Sequence, residues 1–127
     1  MKAKLIAYWI VTVLFCAGMT AGGVGDVLRA EGVMEVLARL GYPWYLALIL
    51  GVAKLFGVVV LLLPGLRRLK EWAYAGFAFD LLGALASHAF VRDPPMEFLG
   101  AALMLALGAA SYFMRPASRR LADTPHG

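Results

Sequence analysis

A single lysine halfway along an apolar stretch is the feature that most constrains this chain. The stretch from Leu40 to Gly65 reads LGYPWYLALILGVAKLFGVVVLLLPG, and Lys54 is its one charged residue. Its length is typical of a membrane-spanning helix, because about 20 apolar residues cross the hydrocarbon core of a bilayer. An unpaired charge at the bilayer centre costs at least ~2.5 to 3.5 kcal/mol. Lys54 therefore needs a partner.

The next apolar stretch offers that partner. It runs from Glu71 to Phe90, has Asp80 at its centre, and follows a short basic turn. Counting about 1.5 Å per residue from the turn places Lys54 and Asp80 at similar depth on two antiparallel neighbouring helices. We predict a buried ion pair between them, within hydrogen-bonding distance or bridged by one water. The pair either forms a proton-linked or ligand-orienting site or fixes the helix register.

Composition favours a membrane protein and excludes several kinds of redox centre. Of the 127 residues, 62% are hydrophobic, and the mean hydropathy is +0.79, both well above a soluble domain. The one cysteine, Cys16, excludes an intrachain disulfide and a CxxC centre. A haem held by two histidines is also excluded, because His126 lies in the tail and leaves only His88 within an apolar stretch. No catalytic residue and no metal site is predicted.

Four apolar stretches predict four membrane spans, at about residues 5–24, 44–63, 72–90 and 98–114. The first is interpreted as a span rather than a secretory or lipoprotein signal, since Phe15 stands where a lipoprotein signal has a small residue. We therefore predict an all-α fold, an integral membrane four-helix antiparallel bundle. Residues 1–116 form its single domain, and residues 117–127 are expected to be a flexible cytoplasmic tail.

A short amphipathic helix is predicted between the first two spans. Its apolar residues follow the helical spacing i, i+3, i+4, i+7 at Val33, Val36, Leu37 and Leu40. Gly41, followed by a proline two residues later, is a helix stop. We expect this helix to lie along the membrane surface.

The basic residues predict the orientation of the chain. Eight fall on one side of the predicted membrane and three on the other, with Lys54 buried between them. The richer side comprises Lys2, Lys4, Arg67, Arg68, Lys70, Arg115, Arg119 and Arg120, and the poorer side Arg29, Arg39 and Arg92. The positive-inside rule then places both termini in the cytoplasm. Basic residues distributed in this way indicate lipid headgroups rather than nucleic acid as the partner.

The order of several blocks resembles the DoxX-like family of small bacterial four-helix membrane proteins. The blocks are YWIVTVL, the stretch around Lys54, RLKEWAYAGFAFDLLGALASH and SYFMRP, and the resemblance covers residues 8–116. It implies a location in the bacterial cytoplasmic (inner) membrane. Positions that recur in these relatives correspond here to Gly51, Lys54, Phe79, Asp80, Gly83, Ala84, Ser87 and His88. The family name comes from a subunit of a thiosulfate:quinone oxidoreductase, which implies a quinone-linked role beside a redox partner subunit.

The third span carries the residues predicted to bind a ligand, namely Asp80, Gly83, Ala84, Ser87 and His88. Small residues leave room beside polar groups, so we predict a pocket for a quinone headgroup in the outer half of the bundle, roofed by the amphipathic helix. The alternative is that these small residues only allow tight packing, and that His88 merely lies near the outer interface.

The sequence thus predicts an accessory or quinone-interacting subunit of a membrane redox system rather than a stand-alone enzyme. Its expected partners are the lipid bilayer, a redox subunit and a second copy of the chain in a homo-oligomer. Two alternatives stay open, a non-enzymatic membrane interaction module and a proton-linked small-molecule transporter that uses Asp80.

Overall fold

The computed structural model describes residues 2–116 and residue 119. Over these residues the chain forms five α-helices and no strand: α1 Lys2–Val27, α2 Glu31–Leu40, α3 Leu46–Leu62, α4 Arg67–Phe90 and α5 Pro95–Phe113. The predicted all-α class is confirmed. Within the same residues, α1 alone is both long and apolar enough to cross a membrane, while α3 and Phe98–Phe113 are shorter apolar helices. Apart from Arg119, the predicted flexible tail lies outside the described residues.

The four longer helices pack in a closed ring. Helix α1 packs against α3 and α5, and α4 packs against the same two helices, while α2 touches α3. Consecutive long helices run in opposite directions. One end of the ring, which we call the basic end, holds the start of α1 and the end of α3. The opposite end, which we call the α2 end, holds α2 and the connection from α4 to α5.

Glycines bring α1 and α3 close together. A Cβ atom built on Gly51 would lie 2.8 Å from the carbonyl oxygen of Gly23, and one built on Gly23 would lie 3.0 Å from the side chain of Leu55. The two backbones can approach to this distance only because neither glycine carries a side chain. Helix α1 does not end at Gly23 but continues to Val27.

The core between the helices is apolar, with one polar chain through it. The rings of Phe15 and Phe77 meet edge to face at 5.2 Å between centroids. The hydroxyl of Ser111 lies 2.6 Å from that of Thr12 and 2.7 Å from that of Tyr74. Outside the ring the surface is also apolar, with large exposed side chains that include Ile6, Ile10, Ile49, Val52, Phe56, Phe79, Leu99 and Phe113. Such a surface is unlike that of a soluble monomer.

Helix boundaries differ from the predicted spans mainly at the basic turn. Helix α4 begins at Arg67, so most of the predicted turn is helical. The connection from α3 is short, with Gly65 and Leu66 in the left-handed region at φ 71° and 52°. At the α2 end, Gly41 ends α2 in the left-handed conformation at φ 86°, which confirms the predicted helix stop.

Candidate functional site

Lys54 lies between two aspartates that come from different helices. Its Nζ donates a hydrogen bond to Asp26 Oδ2 at 2.9 Å and lies 3.9 Å from Asp80 Oδ2. The side chains of Lys54, Asp26 and Asp80 are 18%, 10% and 19% exposed. We call these three residues the charged triad. It joins α3, which carries the lysine, to α1 and α4.

The sequence predicted Asp80 as the partner of Lys54 and missed Asp26. The predicted buried Lys54/Asp80 pair is not confirmed as such, because the hydrogen bond goes to Asp26 and Asp80 is beyond hydrogen-bonding distance. The predicted first span ends at residue 24, which leaves Asp26 outside it. The signal that could have found it is the spacing of the inward face of α1, whose buried residues are Tyr8, Thr12, Phe15, Cys16, Met19, Gly23 and Asp26.

A cleft of about 680 Å³ opens beside the charged triad at the α2 end. All five residues predicted to bind a ligand lie along it, as do Lys54 and Asp26. Apolar residues of α2, among them Val33, Leu37 and Leu40, form one wall. A Cβ atom on Gly83 would meet no atom within 4 Å. The small residue at this position therefore borders open space rather than a tightly packed neighbour.

Hydrogen bonds fix the polar groups at the mouth of the cleft. Ser87 Oγ donates to the carbonyl oxygen of Gly83 at 2.8 Å, and Tyr42 Oη lies 2.6 Å from Ser87 Oγ. Because a hydroxyl has one proton and Ser87 uses it toward Gly83, Tyr42 is the donor to Ser87. Both hydroxyl protons are then engaged, whereas the ammonium of Lys54 has N–H donors beyond the one that it gives to Asp26.

Asp93 ties α2 and His88 together. Arg39 donates to both of its oxygens, through Nε at 3.0 Å and Nη2 at 3.2 Å, and His88 Nδ1 lies 2.5 Å from Oδ2. These hydrogen bonds, first from Arg39 and then from His88, hold the pKa of Asp93 below its ordinary value. His88 itself is buried. With Nδ1 facing a carboxylate, Nε2 is the ring atom left for a ligand.

A second cluster of polar groups lies at the basic end, where the sequence predicted only turn charges. Lys70 is 1% exposed and donates to the carbonyl oxygens of Val60 at 2.8 Å, Gly65 at 2.7 Å and Leu63. Arg119 donates to the carbonyl oxygen of Leu63 at 2.9 Å. These groups satisfy the main-chain acceptors that the end of α3 leaves open, so the cluster has a structural role.

Comparison with known protein families gives one match. The model of the DoxX-like family matches residues 10–111, a range that includes the charged triad and the residues along the cleft. Comparison with curated proteins and with solved structures gives no match.

Proposed function

Because the chain belongs to the DoxX-like family, we propose that it is a multi-pass protein of the bacterial cytoplasmic membrane that binds a quinone headgroup in the cleft. In this proposal α1, α3, α4 and α5 are the four spans, and both termini are cytoplasmic. The apolar outer surface supports the spans. The distribution of basic residues supports the orientation, since Lys2, Lys4, Arg67, Arg68, Lys70, Arg115 and Arg119 share the basic end.

The observation that carries the quinone proposal is the cleft beside the charged triad. Its volume of about 680 Å³ lies in the range of small-molecule sites, which are mostly apolar with a few polar groups that orient the ligand. Val33, Leu37 and Leu40 supply the apolar wall, while Lys54 and His88 supply the polar atoms. A substituted benzoquinone has the matching character, an apolar ring with two carbonyl oxygens.

The two polar side chains suit the two redox forms of a quinone. Lys54 spends one of its three N–H donors on Asp26, so another can reach a quinone carbonyl. His88 directs Nδ1 at Asp93, and Nε2 of a neutral ring can accept from a hydroquinone hydroxyl. With one cysteine, the chain has no dithiol of its own to supply electrons. The proposed role is therefore that of an accessory subunit beside a redox partner.

Quinone titration into the detergent-solubilised protein, followed by Trp fluorescence, tests this proposal. We expect saturable binding in wild type and weaker binding in His88→Ala, by about two- to tenfold for the loss of one hydrogen-bonding group. Ser87→Ala should weaken binding less, because the Ser87 hydroxyl acts by holding Tyr42 at the mouth of the cleft. Tyr112→Phe is the matched control, because it removes a hydroxyl that donates to Glu71 at the basic end. Absence of saturable binding in wild type, or equal binding in all four proteins, would leave the membrane interaction module as the better interpretation.

A further inference from the structure

A second groove, of about 730 Å³, lies between α3 and α4. Its lining is apolar, with Phe56 from α3 and Trp72 and Gly76 from α4 among its residues. Three residues, Leu50, Lys54 and Asp80, border both this groove and the cleft. The polar cleft and the apolar groove therefore meet at one apolar and two charged side chains.

The shape of the groove follows from the spacing of residues on α4. Trp72, Gly76 and Asp80 are four residues apart and lie on one face of the helix. From Trp72 to Asp80 the helix rises about 12 Å. A Cβ atom on Gly76 would meet no atom within 4 Å, so the middle of this face is open rather than filled by a neighbouring helix.

We propose that the ligand in the cleft carries a long apolar tail that passes beside Lys54 and Asp80 and lies in this groove. The inference rests on the proposed function and narrows its ligand class to a headgroup with a lipid-like chain, which for a quinone is a prenyl tail. The cleft and the groove are continuous. A molecule with a polar headgroup joined to an apolar tail can therefore place its headgroup in the cleft and its tail in the groove.

Two other occupants compete for the groove. A bilayer acyl chain would fill it without reference to the cleft, and a second copy of the chain would cover it as an interface. Neither explains why the groove shares two charged residues, Lys54 and Asp80, with the cleft. The tail of the ligand does, because the headgroup beyond these residues anchors it.

Three glycine substitutions distinguish the contribution of the cleft to ligand binding from that of the groove. Gly83 borders the cleft and Gly76 borders the groove, while Gly100 lies on α5. A Cβ atom at any of the three would meet no atom within 4 Å, and all three are helical. Leucine at Gly83 then fills the cleft, leucine at Gly76 fills the groove, and leucine at Gly100 is the matched control.

The measurement compares a tail-less methoxy-substituted benzoquinone with the same quinone carrying a decyl tail, in one detergent. We expect Gly76→Leu to weaken binding of the tailed quinone by about tenfold, equivalent to two buried methylene groups, and to leave the tail-less quinone unaffected. Gly83→Leu should weaken both, and Gly100→Leu neither. Detergent partitioning is common to all variants and cancels in the comparison with wild type.

The outcomes distinguish the two proposals. If wild type binds the tail-less quinone but Gly76→Leu affects both quinones equally or neither, the tail assignment is wrong and the headgroup site stands. A change of oligomeric state in Gly76→Leu, measured by light scattering after size exclusion, would identify the groove as an interface and also overturn the assignment. If wild type binds neither quinone, the proposed function and the tail assignment both fail.

Discussion

Two lysines of this chain, the buried Lys70 and the partly buried Lys54, have opposite surroundings. Lys70, at the basic end, directs its ammonium at main-chain carbonyl oxygens of Val60, Leu63 and Gly65. Lys54, in the middle of α3, has carboxylates around it and borders two cavities. Burial removes water from both ammonium groups, and the hydrogen bonds that replace it come from the backbone for Lys70 and from a carboxylate for Lys54.

The difference separates a structural charge from a candidate functional one. The contacts of Lys70 complete the end of a helix, and no ligand is needed to explain them. The contacts of Lys54 come from side chains on separate helices and leave donor capacity toward a cleft. In the proposed topology Lys54 lies within the membrane, where an ionisable residue is a functional-site candidate by default.

In the proposed topology, the basic end and the α2 end lie on opposite sides of the membrane, and this is the largest difference between the two regions. In a Cys16→Ala background, a cysteine at Met96, which is 75% exposed at the α2 end, should react with a membrane-impermeant maleimide in spheroplasts. A cysteine at Pro64, in the exposed turn of the basic end, should react only after permeabilisation. The reverse pattern would invert the proposed topology and turn the cleft toward the cytoplasm.

Loss of Lys70 should have the largest effect on stability. Lys70→Met leaves the carbonyl oxygen of Val60 without this donor in a buried position, and a buried unsatisfied carbonyl costs roughly 1 to 3 kcal/mol. The carbonyl oxygen of Gly65 lies in an exposed turn, where water can replace the ammonium. We expect a loss of about 3 kcal/mol, seen as a lower yield of monodisperse protein and a lower Tm. Arg68→Met, an exposed neighbour, is the control. Equal Tm values for the two variants would mean that Lys70 does not stabilise the end of α3.

Changes in the charged triad should cost less and should compensate one another. Lys54→Met leaves two carboxylates without their cation, but their partial exposure keeps the expected cost near ~2 kcal/mol, below the ~3 to 5 kcal/mol of an enclosed charge. Asp26→Leu should lower the Tm more than Asp80→Leu, since Asp26 accepts the hydrogen bond.

The double variants test whether these three residues form one unit. Lys54→Met with Asp26→Leu should recover part of the loss of each single change, and Lys54→Met with Asp80→Leu should recover less. Strictly additive losses in both pairs would show that the residues act independently, and the contrast between the two lysines would then lose its basis.

The smallest expected effect is on the local stability of α2, which Arg39 connects to Asp93. The folded-state pKa of Asp93 lies below its ordinary value, through hydrogen bonds from Arg39 and His88. The stabilisation from Asp93 is therefore complete above its unfolded pKa of about 3.9 and is lost as the pH falls through the lower folded-state value. Hydrogen exchange of α2 amides, corrected for intrinsic rates, should accelerate severalfold below about pH 4.

Asp93→Asn provides the control for that measurement. This variant should exchange α2 amides faster than wild type at pH near 6 and show no further acceleration on acidification, because the titrating group is gone. If the variant kept the acid response of wild type, another carboxylate would hold α2 in place.

The sequence predicted the parts of this structure that depend on local pattern. The all-α class followed from the apolar stretches, the end of α2 followed from Gly41, and the residues along the cleft followed from the helical spacing of Asp80, Gly83 and Ser87. Each of these features can be predicted from the sequence of a single helix. Helix α4 extends beyond the predicted span, since it starts at Arg67 rather than Trp72.

The missed residues depend on contacts between helices. The predicted first span ends at residue 24, so Asp26 falls outside it. In the fold α1 continues to Val27, Gly23 and Gly51 permit a close crossing of α1 and α3, and Asp26 reaches Lys54. Lys70 was assigned to a turn because nothing local shows that the end of α3 leaves carbonyl oxygens within its reach.

The order of the charged triad along the chain has a consequence for biosynthesis. Asp26 precedes Lys54, and Asp80 follows it. When α3 emerges from the ribosome with its lysine, the hydrogen-bonding partner on α1 has already been synthesised, whereas α4 has not. In the proposed topology, the cost of placing a lysine in the membrane, about 2.5 to 3.5 kcal/mol, can thus be offset during translation. Asp80 then reaches a lysine that is already neutralised, and it completes the site rather than enabling insertion.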